Sequence, residues 1–407
     1  MNIEKTKATD YGVKNIKSAL IVTSVASMVD QFIMPSIELL ISMGYDVDVA
    51  TNFVKGSTCS DEKIKELITR LDGMNVDCYH IDFDRKVLDV RADIKSFKQL
   101  DAVVCGLAEP INKTRHHHIK PQGDNTYSFI HSHSPIGGVV GRIEGKKRRI
   151  KNIYTAHGFH FYDGAPLKNW LIFYPIEKHL SRFTDVLITI NKEDYVRAKK
   201  KLKAKKTVYI PGIGIDVEKF RDIQVDRDKK RAELGVGVDD VMLLSVGELN
   251  VNKNHRVVVE ALGLMDDQQR SHLHYFIAGK DAGQRDALVK LAEEKKVNLH
   301  LLGFRTDIPE LLKCADIFLL PSIREGLNVG LMEAMASGLP CIASDIRGNR
   351  DLIKAEESLF TSDSHYDFYE KIDRMLNSNY IGLGDNNKGR ILKYNSKNVS
   401  ELMKTIY

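Results

Sequence analysis

Residues 315–351 read ADIFLLPSIREGLNVGLMEAMASGLPCIASDIRGNRD, and the fold is decided here. Ile317–Leu320 is a short apolar run of strand-favouring residues closed by Pro321 and Ser322, the pattern of a fully buried strand. Arg324-Glu325-Gly326 is turn-like. From about Asn328 the apolar residues Val329, Leu331, Met332, Met335 and Ala336 recur at three- and four-residue steps, which predicts a helix packed on a sheet. Gly338 and then Pro340 stop that helix, and Cys341–Ala343 opens another strand. The unit is strand, glycine loop, helix, strand.

The start of such a helix suits an anion, because the N–H groups of residues 326–329 point outward and the helix dipole adds partial positive charge. Glu325 lies in the loop and Glu333 about one turn inside the helix. Carboxylates beside an anion site need partners of their own: a sugar ring for Glu325, a ribose diol for both oxygens of Glu333. Taken as two isolated glutamates they are instead solvated acids at a helix end, and the residues alone favour that plainer reading.

Outward from this stretch the same alternation continues. Strands are predicted at 18–26, 45–50, 76–81, 127–131, 152–156, 186–190 and up to 210, then at 241–246, 275–278 and 297–302, with helix-like segments between them. Residues 85–125 read as polar loop around PINKTRHHHIKPQGDN. The linker Pro211-Gly212-Ile213-Gly214 marks a boundary between an N-terminal domain, 1–212, and a C-terminal domain, 213–390. Residues 391–407 form a last helix, with Val399, Leu402, Met403 and Ile406 on one stripe. Strands alternating with helices imply parallel sheets covered on both faces, whose ligands sit at the carboxyl ends of the strands.

Composition narrows the class. With 407 residues, 43% hydrophobic and 28% charged, the chain fits two globular domains. No apolar run approaches the ~20 residues of a membrane span, and KSALIVTSVA at 17–26 lacks a signal-peptide cleavage pattern, reading better as a buried strand. Five cysteines without a CxxC pair point to a reducing cytoplasm and away from a disulfide or zinc framework. Residues 1–215 carry 33 Lys and Arg against 24 Asp and Glu, while the remainder carries 27 against 31. The basic runs at 146–151 (Lys146, Lys147, Arg148, Arg149) and 199–206 lack interleaved aromatics, which speaks against nucleic acid and for an anionic membrane surface.

E-G-L-N-V-G-L-M-E at 325–333, followed by A-M-A-S-G-L-P, resembles the E-x7-E motif of retaining glycosyltransferases of family 4. The likeness runs over most of the chain and is densest in 131–216 and 241–353. It implies the GT-B fold: two Rossmann-like α/β domains facing a cleft, the last helix crossing back to the first. It also implies that Glu325 faces the donor sugar and Glu333 holds the nucleotide ribose. The loop Gly326, Leu327, Asn328 and Val329 then meets the donor phosphates with Lys253, and the loop at Arg305 lies under the nucleobase. His157, in Thr155-Ala156-His157-Gly158, matches a family histidine that reaches toward the sugar or the developing charge. His133 and Ser134, before the Gly137-Gly138 helix start, are candidates for the acceptor. Glu248 departs from the family, which places an arginine there; either Arg324 or another base replaces it, or donor affinity rests more on Lys253 and the helix N-terminus.

YTAHGFHFYDGAP and NWLIFYPIEKHLSRFTDVLITINKEDY resemble bacterial capsular and exopolysaccharide glycosyltransferases more particularly. That likeness implies a UDP-sugar donor, an N-acetylhexosamine as the sugar, a lipid-diphosphate saccharide as acceptor, and work at the inner face of the cell membrane. No cofactor or metal is expected. Asp46-Val47-Asp48 lies within a strand, Asp82-Phe83-Asp84 lacks the fold context of a metal loop, and His116–His118 are consecutive and so diverge. Two alternatives stand beside this reading: an epimerase of the same fold acting on UDP-N-acetylglucosamine, and a catalytically silent nucleotide-binding scaffold.

Overall fold

The computed structural model describes residues 17–55, 59–84, 90–112, 127–354, 358–378 and 381–407; the His116–His118 run lies outside them. Its first sheet contains β1 (Lys17–Val22), β2 (Tyr45–Thr51), β3 (Asp77–His80), β4 (Phe129–His133), β5 (Lys151–Ala156), β6 (Val186–Thr189) and β7 (Lys206–Tyr209), in the order β3-β2-β1-β4-β5-β6-β7. The second contains β8 (Val241–Val246), β9 (Leu273–Ala278), β10 (Asn298–Gly303), β11 (Ile317–Leu320), β12 (Cys341–Ser344) and β13 (Leu359–Phe360), in the order β10-β9-β8-β11-β12-β13. The pairings are parallel: Ile21 sits opposite Val49, and Ser245 opposite Ile277. Both sheets have the doubly wound strand order of Rossmann-like folds, which reverses beside the first strand of each.

Alternation along the strands builds a core on each face of the second sheet. On β11, Phe318 and Leu320 join one buried cluster with Leu244, Phe276 and Leu331, while Ile317 and Leu319 join another with Leu243, Tyr275 and Ile342. Every residue of β11 is therefore buried, as its unbroken apolar run demands, and each such side chain contributes roughly 1.5–3 kcal/mol. Leu20, Val22 and Ile130 of the first sheet share a cluster with Val140, Leu100 and Val103 on the helices that cover it.

Those last two residues correct the sequence reading. The stretch expected to be loop from residue 85 holds a helix, Val90–Val104, whose Leu100, Val103 and Val104 are buried. Its polar residues hid the stripe. The strand expected at 18–26 ends at Val22, and the helical stretch after it begins at Ala26 and carries a π-helical turn over Val29–Ile33. In the last helix, Ser396–Lys404, Val399 and Met403 are buried but Leu402 is exposed.

The two sheets part between Tyr209 and Val241. The compact units part elsewhere: one takes the described residues up to Tyr154 with Phe183–Asp185, the other Thr155–Arg182 with Val186–Tyr407. Within the larger unit the linker is fastened to both neighbours. Ser396 donates its N–H to the Ile215 carbonyl at 2.8 Å, and Gly212 lies against Leu327 and Met332. Among the described residues no helix is long and apolar enough to cross a membrane.

Candidate functional site

In the second sheet the strand order reverses between β8 and β11, so the loops leaving those two strands diverge and open a crevice. The loop after β8 ends in a 3-10 turn, Val251–Lys253, capped by the Asn250 side chain, which accepts from the Lys253 N–H at 2.9 Å. The loop after β11 carries Glu325. The two are sewn together: Ile323 donates its N–H to the Asn252 carbonyl at 2.8 Å, and Asn252 Nδ2 donates to the Arg324 carbonyl at 3.0 Å. Lys253 Nζ consequently stands 2.8 Å from Glu325 Oε1, with both side chains mostly buried. Two residues 72 positions apart, chosen from sequence for separate roles, form one ion pair.

The helix beyond this loop is Val329–Ser337, with Asn328 as its cap, Oδ1 accepting from the Leu331 N–H at 2.9 Å. Among the described residues the amides of Val329 and Gly330 have no acceptor, which leaves two donors at a positive helix end. Leu327 does not turn to this end; its side chain packs under Gly212. Glu333, one turn further, is half-buried. Burial pushes its carboxyl up to about 7, opposed only in part by Lys219. Arg305, two residues past β10, has its guanidinium held by both oxygens of Asp307, so that side chain is not free to meet a base. Glu248 accepts from Asn250 Nδ2 at 3.2 Å and so braces the Lys253 loop instead of binding an anion.

His157 follows directly on β5 and meets the same crevice. Its carbonyl oxygen lies so close to Gly326 that a Cβ there would collide with it, and Gly348 packs on the Gly326 carbonyl under the same constraint. Burial lowers the His157 pKa to about 4, so the imidazole is neutral at pH 7, able to hydrogen-bond but not to bring charge.

Two residues with no role in the sequence reading hold these pieces in place. Arg347 donates from Nε to the Glu325 carbonyl at 3.1 Å and from Nη1 to Asp194 Oδ1 at 2.8 Å, while its guanidinium stacks over Tyr162 at 4.7 Å. Asp194 also accepts the Phe159 N–H at 3.1 Å, two residues beyond His157. The Glu325 loop and the His157 turn thus hang from one buried ion pair. The signal in sequence was faint: Arg347 lies three residues past the carboxyl end of β12, the edge where such sheets bind ligands. Arg324, the expected substitute for a base at Glu248, is exposed, and its charge is felt by His160.

In the first sheet the order reverses between β1 and β4, and His133 and Ser134 stand at that point. Ser134 has φ 63° and ψ 159°, a region where side chains cost ~1–3 kcal/mol, and its Oγ accepts the Ser24 N–H at 3.2 Å. Of the basic run, Lys147 and Arg148 both pair with Asp101, at 2.5 and 2.6 Å, and Lys146 lies over the Phe183 ring; Arg149 ends the helix in a left-handed conformation. Asp48 accepts the Tyr127 hydroxyl, and Asp82 is held by Lys95, Gln99 and His80.

Residues 226–399 match the glycosyl transferases group 1 family, and 120–191 a glycosyl transferase 4-like family. The EpsD protein of Bacillus subtilis, which its name describes as a glycosyltransferase, is 39% identical over 293 residues, 69% of this chain and 76% of that one. An Escherichia coli enzyme named UDP-Gal:alpha-D-GlcNAc-diphosphoundecaprenol alpha-1,3-galactosyltransferase is 32% identical over 236 residues, 56% of this chain and 61% of its own. The crystal structure of Anabaena HepE with UDP and glucose superposes with a TM-score of 0.72 at 16% identity, over 96% of this chain and 99% of that one, a likeness of fold.

Proposed function

The chain belongs to the GT-B-fold glycosyltransferases of the group 1 type, and on that premise we propose that it moves an N-acetylhexosamine from a UDP-sugar to a lipid-diphosphate-linked saccharide, with retained configuration and no metal ion, in bacterial exopolysaccharide or capsule assembly. The observation that carries this reading is the Lys253–Glu325 pair at the reversal point, beside two unaccepted helix amides. An arriving diphosphate takes the Lys253 ammonium and the amides of Val329 and Gly330, which frees Glu325 for sugar hydroxyls. The ribose hydroxyls fall to Glu333.

As the bond from the sugar carbon to phosphate oxygen lengthens, the ring becomes oxocarbenium-like and negative charge gathers on the diphosphate. Fixed positive groups aimed there lower the barrier without reorganising. The departing oxygen accepts the proton of the acceptor hydroxyl, whose oxygen bonds the sugar carbon from the same face. Neutral His157 serves as a hydrogen-bond partner of the sugar. The lipid-diphosphate acceptor is supported by the Escherichia coli relative, whose named acceptor is a diphosphoundecaprenol-linked sugar. Work at an anionic membrane surface follows from such an acceptor.

The deciding measurement is release of nucleotide from a panel of UDP- and GDP-sugars, without acceptor and then with a lipid-diphosphate saccharide, in EDTA. UDP-N-acetylhexosamine hydrolysis that becomes transfer, with an α-anomeric product from an α-linked donor by proton NMR, is expected. Preference for GDP-sugars, an inverted product, or epimer formation without acceptor would each sink the proposal.

A further inference from the structure

The helix Leu167–Leu180, LKNWLIFYPIEKHL, is more apolar than its packing requires: only Glu177 and Leu180 in it are fully buried, and Trp170 and Tyr174 pack one side of their rings edge-on against buried Phe161. Leu167 and Leu171, one turn apart, are 73% and 68% exposed, and Pro175 continues the same exposed row. Beside that row stand Trp170 and Tyr174, partly exposed and ringed by cations. Lys201 Nζ lies 4.9 Å from the Trp170 ring centroid, and Lys178 Nζ 5.4 Å from that of Tyr174. Lys168 on this helix and Lys200 on the helix Lys192–Lys201 are exposed.

We propose that this face rests on an anionic lipid surface, with Leu167 and Leu171 at the acyl boundary, Trp170 and Tyr174 at headgroup level, and the lysines on lipid phosphates. The layering matches what lipid interfaces select: aliphatic side chains inward, Trp and Tyr at the boundary, basic residues on the polar side. Charge argues against a second copy as the cover, because a two-fold contact would set the lysines against themselves. Charge also favours this face over the Lys146–Arg149 run, which spends Lys147 and Arg148 on Asp101. The inference deepens the reading of a lipid-linked acceptor by naming the surface that meets the lipid.

Trp170 is the chain's single tryptophan, so its emission reports on this face alone. The whole chain is titrated with vesicles of three parts phosphatidylcholine to one of phosphatidylglycerol, and with phosphatidylcholine alone. Expected with the anionic vesicles are a blue shift, protection from acrylamide, and reversal in high salt. The L167S/L171S double variant should partition at least ~10-fold more weakly. Its unchanged melting temperature and acceptor-free UDP-sugar hydrolysis would show that fold and donor site are intact. K168Q/K200Q should narrow the preference for anionic over neutral vesicles. Emission unaltered at millimolar lipid, equal partitioning of L167S/L171S and the parent, or a vesicle-free dimer that L167S/L171S dissociates would overturn the proposal. Because emission does not depend on turnover, absence of vesicle binding by the parent chain with its hydrolysis intact refutes only this inference, while absent hydrolysis and transfer refute the enzymatic one.

Discussion

Replacing Arg347 by methionine keeps the length and apolar stem of the side chain and removes its charge. Arg347 and Asp194 are 5% and 0% exposed, and Asp194 would lose its closest cation. Leaving a buried charge without its partner costs ~3–5 kcal/mol. Here the Phe159 N–H, Asn191 Nδ2 and Arg197, at 3.1, 2.8 and 3.4 Å, still face Asp194 and soften the loss. We expect about 2–3 kcal/mol, read as a drop of roughly 5–10 °C in melting temperature. Turnover should fall further than stability, because Nε also holds the Glu325 carbonyl, and an ångström of displacement at a reacting group can cost ~100-fold. Arg347→Lys should recover much of the stability and little of the turnover, since a lysine lacks the fork that reaches both partners. Scanning fluorimetry and UDP release measure the two effects, and an Asp194→Asn cycle isolates their coupling. A melting temperature within about 2 °C of the parent, or additive single and double variants, would show that the pair carries no load.

Glu325→Ala should cut turnover while leaving UDP affinity equal or higher, because Lys253 is released to the diphosphate; calorimetry showing weaker UDP binding would contradict the assignment. Glu333→Ala should weaken UDP binding by ~1.5–3 kcal/mol, the worth of hydrogen bonds to a charged acceptor. With burial holding Glu333 near 7, UDP affinity should rise from pH 6 to 8, and Glu333→Gln should flatten that slope. Glu144, fully buried, is likewise pushed up to about 7 from 4.5, by burial first and then by Asp101. Its folded pKa lies above the unfolded one, so stability is whole below about 4.5 and falls as pH rises through 7, by ~3 kcal/mol. Denaturant titrations from pH 5 to 8 should show this fall in the parent and a smaller one in Glu144→Gln. Turnover should survive EDTA, and activity restored only by adding Mn²⁺ or Mg²⁺ would refute the fixed-charge account of the phosphate site.

Local pattern alone settled most strand positions, because a strand buried on both faces is an unbroken apolar run and a glycine in the left-handed conformation commonly ends the helix beside it. Val241–Val246 and Ile317–Leu320 fall where the sequence put them, and Gly338 caps its helix with φ 83°. Where the apolar stripe was thin, as in Val90–Val104, the helix went unread, since its pattern surfaces only once Leu100 and Val103 have a sheet to face. Lys253, Glu325, Glu333 and His157 were each chosen by motif, one loop at a time. What no single loop could disclose is that Lys253 and Glu325 are bonded to one another, and that Arg347 and Asp194 suspend the site. Those relations join residues 72 and 153 positions apart. They exist because parallel strands bring their carboxyl ends to one edge, and strand order, which the chain does not write locally, decides which ends become neighbours.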